Sequence, residues 1–284
     1  MRAYNRFLQA QADKGGFDLV FVDKGVWVWP ETLQKLKRAA RAHLAIHFTP
    51  DAQFLEQRSR HFLHGLRQYD LAITTKPFEI DAYRSAGARE IKLLLQGYGE
   101  SITPVPQPEI PDALRSKVCF IGHCQPHYAT TLQHLASRLP LKIWGPNWMA
   151  YAARNDWARD IVQGDSCYGE DYARALSGAK IAIGLLSKRI PETTTTRSFE
   201  IPACGTMLLA ERTAEHQALF EEGLEAEFFD GAEECAEKAV HYLENETARE
   251  RIAAAGHARC QNSGYSTTDQ FSTVVDWIDA SRGV

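Results

Sequence analysis

Short apolar runs alternate with amphipathic, helix-like segments along most of the chain, and this alternation strongly limits the folds that the sequence can adopt. In the first third the apolar runs are FDLVFV (17–22), HLAIHF (43–48), YDLAITT (69–75) and IKLLL (91–95). Segments such as ETLQKLKRAARA (31–42) lie between them. Regular strand–helix alternation is typical of a parallel sheet covered by helices on both faces. We therefore predict an α/β fold.

A proline-rich segment divides this alternation into two parts. PVPQPEIP (104–111) has four prolines in eight residues, a pattern that ends helices and strands and is typical of a linker. The strand candidates that follow are KVCFIG (117–122), LKIWG (141–145), AKIAIGLL (179–186), TMLLA (206–210) and AEFFD (226–230). We expect two doubly wound, Rossmann-like domains, 1–106 and 107–284, with a helical end to the chain.

The composition is that of a globular protein and excludes several classes. With 284 residues, 44% hydrophobic and 24% charged, the chain can form two cores. The net charge of −4, without a block of like charges, weighs against a duplex nucleic-acid partner. None of the six cysteines forms a C-x-x-C pair, and the chain opens on a polar segment. From the cysteine pattern we predict reduced thiols and a cytoplasmic location. No apolar run approaches the ~20 residues of a membrane span, so we also predict that the chain does not cross a membrane.

The loops that follow the strands of the second half hold the first candidate ligand-binding residues. Open α/β sheets bind ligands beyond the carboxyl ends of their strands. Gly122, which ends the strand candidate at 117–122, permits close backbone approach. In HCQPHYATT, which follows it, His123 or His127 could reach a phosphate at a helix N-terminus. The alternative is a plain β–α turn with surface histidines.

The next loop, GPNW, follows the strand candidate at 141–145 and has tryptophans on both sides. Trp144 and Trp148 flank Gly145 and Asn147. The two indoles either pack in the core or form a flat wall for a nucleobase. We keep Trp144, Gly145 and Asn147 as candidate nucleotide-binding residues.

The loop SKRIPETTTTR (187–197) combines three cations with hydroxyls. Lys188, Arg189 and Arg197, with Thr196 beside the last of them, form a plausible phosphate cradle. A solvated basic turn is the alternative. The β-branched threonines disfavour a helix across the loop.

SFEIPACG (198–205) comes next and is apolar enough to begin a buried helix. Glu200 in its first turn is favoured by the helix dipole, and that is its structural explanation. A carboxylate there can also accept two hydrogen bonds from a sugar diol such as that of ribose. Gly205 would then let the next loop approach a ligand closely.

Several segments resemble the CgeB-type (spore-maturation-like) glycosyltransferases, which belong to the GT-B glycosyltransferases. The resemblance covers most of 115–275, with R-x-F-E-x-x-A-x-G at 197–205 as its most specific motif. The segments that carry it are TTRSFEIPACGTMLLAERTAEHQALFEEG (195–223), AEKAVHYLENETARERIAAAGHAR (236–259), FDLVFVDKGVWVWPETLQKLKR (17–38), IHFTPDAQF (46–54) and IWGPNW (143–148). It implies two GT-B domains facing a cleft, with the sugar nucleotide mainly on the second and the acceptor mainly on the first.

By similarity, Glu200 would hold the ribose hydroxyls, Arg197 would lie near the diphosphate or the sugar, and Gly205 would close the loop. Glu192 and Glu200 have the E-x7-E spacing of retaining GT-B enzymes, although the spacing can also arise by chance. Family members usually carry a further strand–helix–strand unit before the segment that opens this chain. We therefore expect a shortened N-terminal domain, and a final helix that returns to it.

Asp51 in HFTPDAQF is the best acid of the first half for a catalytic role, with His47 as its neighbour. An inverting transferase would need a general base there. The alternative is an aspartate that caps the turn after Pro50.

Taken together, these features predict a metal-independent glycosyltransferase that uses a UDP- or GDP-linked sugar as donor and needs no cofactor. The sequence contains no D-x-D pair to hold a divalent ion on the diphosphate. The acceptor stays open: a glycan, a protein, a small molecule or a modified nucleobase. The alternatives are a sugar-nucleotide epimerase of the same fold and a non-catalytic, donor-binding or structural relative.

Overall fold

The computed structural model describes residues 1–282, and the chain divides into two compact units. One comprises Met1–Leu95 and residues 275–282, and the other comprises Gln96–Val274. The described residues form one four-stranded and one six-stranded sheet, in which the paired strands are parallel. The predicted α/β fold with parallel sheets is confirmed.

The four-stranded sheet belongs to the first unit and has the order β1-β2-β3-β4. Its strands are β1 (Leu19–Asp23), β2 (Leu44–Thr49), β3 (Leu71–Thr74) and β4 (Ile91–Leu93). Its helices are α1 (Arg2–Lys14), α2 (Pro30–Ala39), α3 (Arg60–Gly65) and α4 (Ile80–Ser85). Each of the four apolar runs of the first third overlaps one of these strands. Helix α2 begins at Pro30, whose fixed φ suits a first helical position, and buries Leu33 and Leu36.

The six-stranded sheet belongs to the second unit. Its strands are β5 (Ser116–Ile121), β6 (Leu141–Trp144), β7 (Val162–Gly164), β8 (Ala179–Gly184), β9 (Met207–Glu211) and β10 (Glu227–Phe229). Its helices are α5 (Pro126–Ala136), α6 (Trp148–Ala152), α7 (Glu170–Ser177), α8 (Arg197–Ala203), α9 (Ala214–Leu219), α10 (Ala232–Glu244), α11 (Glu246–Asn262) and α12 (Thr267–Arg282), the last of which continues into the first unit. The sequence did not indicate β7, because this short edge strand has only one apolar side chain among its three residues.

The strand order of the second sheet reverses beside β5. The order is β10-β9-β8-β5-β6-β7, so the chain winds outward from β5 to β7 and then returns to β8 on the other side of β5. Such a reversal leaves a crevice at the carboxyl ends of the two central strands, the place where doubly wound sheets bind ligands. The core beneath it is apolar: Val118, Phe120, Ile181 and Leu209 are fully buried. The sheet therefore offers a rigid support for a site at this edge.

The proline-rich segment packs on the second unit. Val105 N donates a hydrogen bond to Ser177 Oγ at 3.0 Å, and Gln107 Nε2 donates to Ser177 O at 3.0 Å. Both acceptor atoms belong to Ser177, the last residue of α7. The sequence analysis predicts a first domain that extends to residue 106, whereas residues 96–106 lie within the second compact unit of the structure.

Helix α12 begins in the second unit, and its residues from Val275 on belong to the first. There Trp277 Nε1 donates a hydrogen bond to Glu90 Oε1 at 2.7 Å. Among residues 1–282, no helix is both long and apolar enough to cross a lipid bilayer.

Two glycines meet at the crevice, and one of them leaves no room for a side chain. Gly145 has φ +135°, and a Cβ placed on it would stand 2.1 Å from Gly122 O and 2.7 Å from Gly122 C. Gly122 N donates to Trp144 O at 2.9 Å, so the two turns lie against each other along their backbones. Only glycine satisfies both the conformation and the space.

We predict that Gly145→Ala destabilises the second unit by at least about 1–3 kcal/mol, because it adds both a backbone strain and a clash with main-chain atoms. Gly99→Ala is the matched control, since a Cβ there meets nothing within 4 Å. Its effect should stay within about 0.5 kcal/mol. Urea unfolding followed by tryptophan fluorescence measures both. Equal unfolding midpoints for the two variants would show that the turn can relax.

Candidate functional site

A pocket of about 310 Å³ opens at the carboxyl ends of β5 and β6, beside the reversal of the strand order. Four segments line it: the turn after β5, the turn after β6, the start of α7 with the loop before it, and the start of α8. The lining residues are Ile121, Gly122, His123, Gly145, Pro146, Cys167, Tyr168, Gly169, Tyr172, Thr196, Arg197 and Glu200. Of the predicted donor-binding residues, the structure brings together Gly122, His123, Gly145, Thr196, Arg197 and Glu200.

Backbone forms one wall of the pocket. Gly122 and Gly145 present no side chain there, and Trp148 Nε1 fixes the first of them by donating to Gly122 O at 2.8 Å. His123 follows and is exposed. A ligand can therefore approach the main chain closely, with an imidazole beside it.

Arg197 lies at the first position of α8 and faces this backbone wall. Its guanidinium lies over the ring of Phe120, 5.9 Å from the centroid, and Nη2 donates to Leu185 O at 3.4 Å. Nη1 is 3.4 Å from the point that a Cβ on Gly122 would occupy. Within the described chain, its buried Nε has no hydrogen-bond partner. Because buried donors are normally paired, this side chain has unused capacity to bind an anion.

Glu200 lies one helical turn after Arg197 and also lines the pocket. Its Oε2 accepts a hydrogen bond from Tyr172 Oη at 2.6 Å. Burial raises the pKa of Glu200, against hydrogen bonds from Tyr172 and Thr196 and the charge of Arg197, which lower it. Burial and the nearby Glu200 charge raise the pKa of Tyr172 well above its usual value, so the phenol stays a donor. These contacts hold the carboxylate in one orientation at the pocket lining.

The sequence analysis missed Tyr172, because its helix gave only an amphipathic pattern and no signal of contact with Glu200. It also missed Tyr168, which lines the pocket and is 69% exposed. Trp144 and Trp148, proposed as a flat wall, are only 4% and 0% exposed. The packing explanation is correct for both tryptophans, and the exposed aromatic surface at this pocket comes from Tyr168 instead.

Two further candidates lie outside the pocket. Asn147 is exposed, has φ +70° and lines a separate groove with Cys124 and Tyr151. Gly205, with φ +71°, follows α8 and lines a groove with Ser116 and residues at the amino ends of other strands. The expectation that Gly205 brings a loop to the ligand is wrong. Since β8 and β9 are parallel, α8 must run back across the sheet, and its end lies at the opposite edge.

The predicted phosphate cradle is only partly assembled. Lys188 forms an ion pair with the carboxylate of Glu211, which also accepts a hydrogen bond from Leu186 N at 2.8 Å. Arg189 is exposed, and its backbone N donates to Ser187 Oγ at 3.2 Å. Both cations lie outside the pocket lining, so Arg197 is the cation of this loop that faces the pocket.

The two remaining candidates of the second unit, His127 and Glu192, form hydrogen bonds with the protein's own backbone. His127 Nε2 lies 2.9 Å from Leu186 O and joins the start of α5 to the end of β8. Glu192 is half-buried, and its Oε2 accepts from Ser187 N at 3.2 Å. Glu192 lies outside the lining of the pocket that holds Glu200, so the E-x7-E spacing alone supports a joint role.

In the first unit, Asp51 follows the end of β2. Its Oδ2 is 2.6 Å from Lys24 Nζ, and the Asp51 side chain is 34% exposed. The hydrogen bond to Asp51 raises the pKa of Lys24. Asp51 N also donates to Thr49 Oγ1 at 3.2 Å, so the side chain that holds this turn is that of Thr49, whereas the Asp51 carboxylate pairs with Lys24.

His47 is a core residue. It is fully buried, its Nε2 lies 3.1 Å from Lys24 O, and its ring centroid is 4.6 Å from that of Phe62 and 5.3 Å from that of Tyr69. Burial lowers the pKa of His47 to about 4. A neutral ring enclosed by aromatic side chains cannot reach a substrate hydroxyl, which argues against His47 as a general base.

The chain is similar to several glycosyltransferases of known structure. HepE of Anabaena, solved in complex with UDP and glucose, has a TM-score of 0.70 at 13% identity, covering 97% of this chain and 80% of HepE. Sucrose-phosphate synthase of Thermosynechococcus elongatus has a TM-score of 0.69 at 14% identity, covering 99% of this chain and 78% of the other. A glycosyltransferase of Rickettsia africae has a TM-score of 0.64 at 12% identity, covering 98% and 80%. No curated protein matches the chain.

These structural likenesses confirm the expected GT-B fold. The model of the family described as glycosyl transferase-like matches residues 127–276, more than half of the chain. This stretch includes α7 and α8, which supply Tyr172, Arg197 and Glu200 to the pocket. The expectation of a glycosyltransferase enzyme is thereby confirmed, whereas the CgeB type is a finer assignment. The chain belongs to the glycosyl transferase-like family.

Proposed function

We propose that the chain transfers a sugar from a UDP-linked donor bound in the pocket at the carboxyl ends of β5 and β6. The observation that carries this proposal is the pairing of a guanidinium and an oriented carboxylate, Arg197 and Glu200, in the same pocket. The two groups have the chemistry that a nucleoside diphosphate requires, an anion partner and an acceptor for two hydroxyls. HepE, which shares the fold, was solved with UDP and with UDP-glucose, and this favours uridine over guanosine.

In this proposal the diphosphate lies against the backbone of Gly122 and His123, with Arg197 as its charge partner. The ribose hydroxyls donate to Glu200. Tyr168, which lines the pocket and is exposed, stacks on the base in this proposal. The three parts of the nucleotide thus meet three different surfaces of one pocket.

Metal independence and the absence of a cofactor are also part of the proposal. The sequence has no D-x-D pair, and Arg197 with His123 can face the diphosphate charge. We further propose that the anomeric configuration is retained. Glu192 keeps the E-x7-E spacing to Glu200, and the carboxylate of Asp51 is engaged by Lys24. The motif at 197–205 supports membership of the CgeB-type group, and the six free cysteines are in keeping with a cytoplasmic location.

We predict that the protein releases UDP from UDP-glucose or a related donor in the presence of EDTA, and that the release accelerates with a suitable acceptor from a panel of glycans, proteins and small molecules. Glu200→Ala should weaken UDP binding by roughly ten- to a hundredfold, because a hydrogen bond to a charged group contributes about 1.5–3 kcal/mol. Calorimetry measures the binding, and an enzyme-coupled UDP assay measures the release. Glu237→Ala, an exposed glutamate of α10, is the control.

Three outcomes would contradict this proposal. Unchanged UDP affinity in a folded Glu200→Ala variant would leave that glutamate a structural role only. Conversion of the donor to an epimer without acceptor would favour the epimerase. Loss of activity with EDTA and its return with magnesium or manganese would overturn metal independence.

We also predict that uridine binding weakens in acid, and at a higher pH than an ordinary glutamate would cause. Burial raises the pKa of Glu200, so the carboxylate takes up a proton earlier as the pH falls and then accepts the ribose hydroxyls less well. Uridine is the appropriate probe because it lacks the phosphate that titrates near pH ~6. Calorimetry between pH 7 and pH 5 tests this on the wild type and on Glu200→Gln. The variant should bind more weakly and show a flat profile, and an equal slope in both proteins would assign the effect to another group.

A further inference from the structure

The threonine-rich loop and the first turn of α8 form three hydrogen bonds with the first turn of α9 and the residue that caps it. Thr213 Oγ1 donates to Thr193 O at 2.9 Å. The hydroxyl of Thr193 donates to the carboxylate of Glu215. Ser198 Oγ lies 2.8 Å from Nε2 of His216. Ser198 directly follows Arg197, so the last of these contacts holds the backbone next to a residue that lines the pocket.

The hydrogen bonds of His216 determine which nitrogen carries the proton. The ring is fully buried, and Nδ1 lies 2.7 Å from Glu211 O. A carbonyl only accepts, so Nδ1 must be the N–H donor, and Nε2 is then left to accept from the hydroxyl of Ser198. Burial lowers the pKa of His216, which keeps the ring in this neutral form. Its plane lies 7° from that of Phe228, at a centroid distance of 5.4 Å.

The Ser198 hydroxyl connects His216 with Thr195, which lies on the other side of Arg197 in the sequence. Its Oγ, which donates to the imidazole, also accepts a hydrogen bond from Thr195 N at 3.1 Å. A continuous chain of hydrogen bonds therefore runs from Thr195 through Ser198 and His216 to Glu211. Its first two members lie two residues before and one residue after Arg197. They fix the backbone on both sides of this arginine.

We propose that His216 is a positioning residue for the donor site, which holds the first turn of α8 so that Arg197 and Glu200 both face the pocket. The proposal rests on the proposed function. Threonines extend a helix poorly, so the segment before Arg197 has no regular structure of its own to hold it. Without the imidazole, the buried Ser198 hydroxyl loses its acceptor. Because an unpaired buried donor costs free energy, the first turn of α8 then shifts to find the hydroxyl another partner. His216 does this without touching the ligand, because it lies outside the pocket lining.

Two amide substitutions separate this role from simple packing. The side-chain amide of His216→Gln reaches about as far as Nε2 and can accept from Ser198. The amide of His216→Asn reaches only about as far as Nδ1, and so it can keep the bond to Glu211 O but not the bond to Ser198. We expect the Gln variant to bind UDP within about threefold of the wild type and the Asn variant about tenfold more weakly, which corresponds to the loss of one buried hydrogen bond.

Ser198→Ala supplies an independent test, because it removes the hydroxyl and leaves the ring. It should weaken UDP binding about as much as His216→Asn does. The double variant, Ser198→Ala with His216→Asn, should bind UDP no more weakly than either single variant. Calorimetry gives the affinities, and urea unfolding gives the stability of each variant. If His216→Asn does not fold, Ser198→Ala and His216→Gln decide the question between them.

The outcomes separate this proposal from the function on which it rests. No UDP binding by the wild type overturns both. Wild-type binding that is lowered in Glu200→Ala but equal in the wild type, His216→Asn and Ser198→Ala overturns only the positioning role. Additive losses in the double variant also overturn it, because the two groups would then act separately. The proposal is supported if His216→Asn binds UDP weakly, His216→Gln binds it nearly as well as the wild type, and the losses of affinity in the double variant are not additive.

Discussion

The pocket at the carboxyl ends of β5 and β6 depends on the contact between two turns of the backbone, at Gly122 and Gly145. A Cβ on the second glycine would stand 2.1 Å from the carbonyl oxygen of the first, so the turns after β5 and β6 approach each other only without a side chain there. The indole of Trp148 locks the arrangement through Gly122 O. Because β5 borders the reversal of the strand order, the contact lies beside the crevice that the sheet topology leaves at this edge.

The opposite wall of the pocket carries two polar groups, the side chains of Arg197 and Glu200, that the protein alone does not fully satisfy. Arg197 has a buried Nε without a partner among the described residues, and the carboxylate of Glu200 lies in surroundings that favour its neutral form. Such groups cost stability in the free protein. In the proposed function they become favourable when the nucleotide brings an anion to Arg197 and two hydroxyls to Glu200. The hydrogen-bonded chain through Ser198 and His216 fits the same account, since it holds the turn that carries both groups.

Local sequence patterns predicted the sheets and the start of α8, because strand–helix alternation and a carboxylate three residues after an arginine are properties of neighbouring residues. Contacts between distant segments left no such signal, and Tyr172 and His216 were therefore missed as partners of α8. Trp144 was misplaced because an aromatic residue at a strand end can face either the core or the solvent. Gly205 was misplaced because a helix that returns across the sheet carries its C-terminus to the other edge.

A crystal structure of the protein with UDP tests the central claim most directly. We predict that the ribose hydroxyls lie within hydrogen-bonding distance of Glu200 and that the diphosphate lies between the guanidinium of Arg197 and the backbone of Gly122. UDP bound in the groove at the amino ends of the strands, or UDP in the predicted pocket with its ribose turned away from Glu200, would contradict the account.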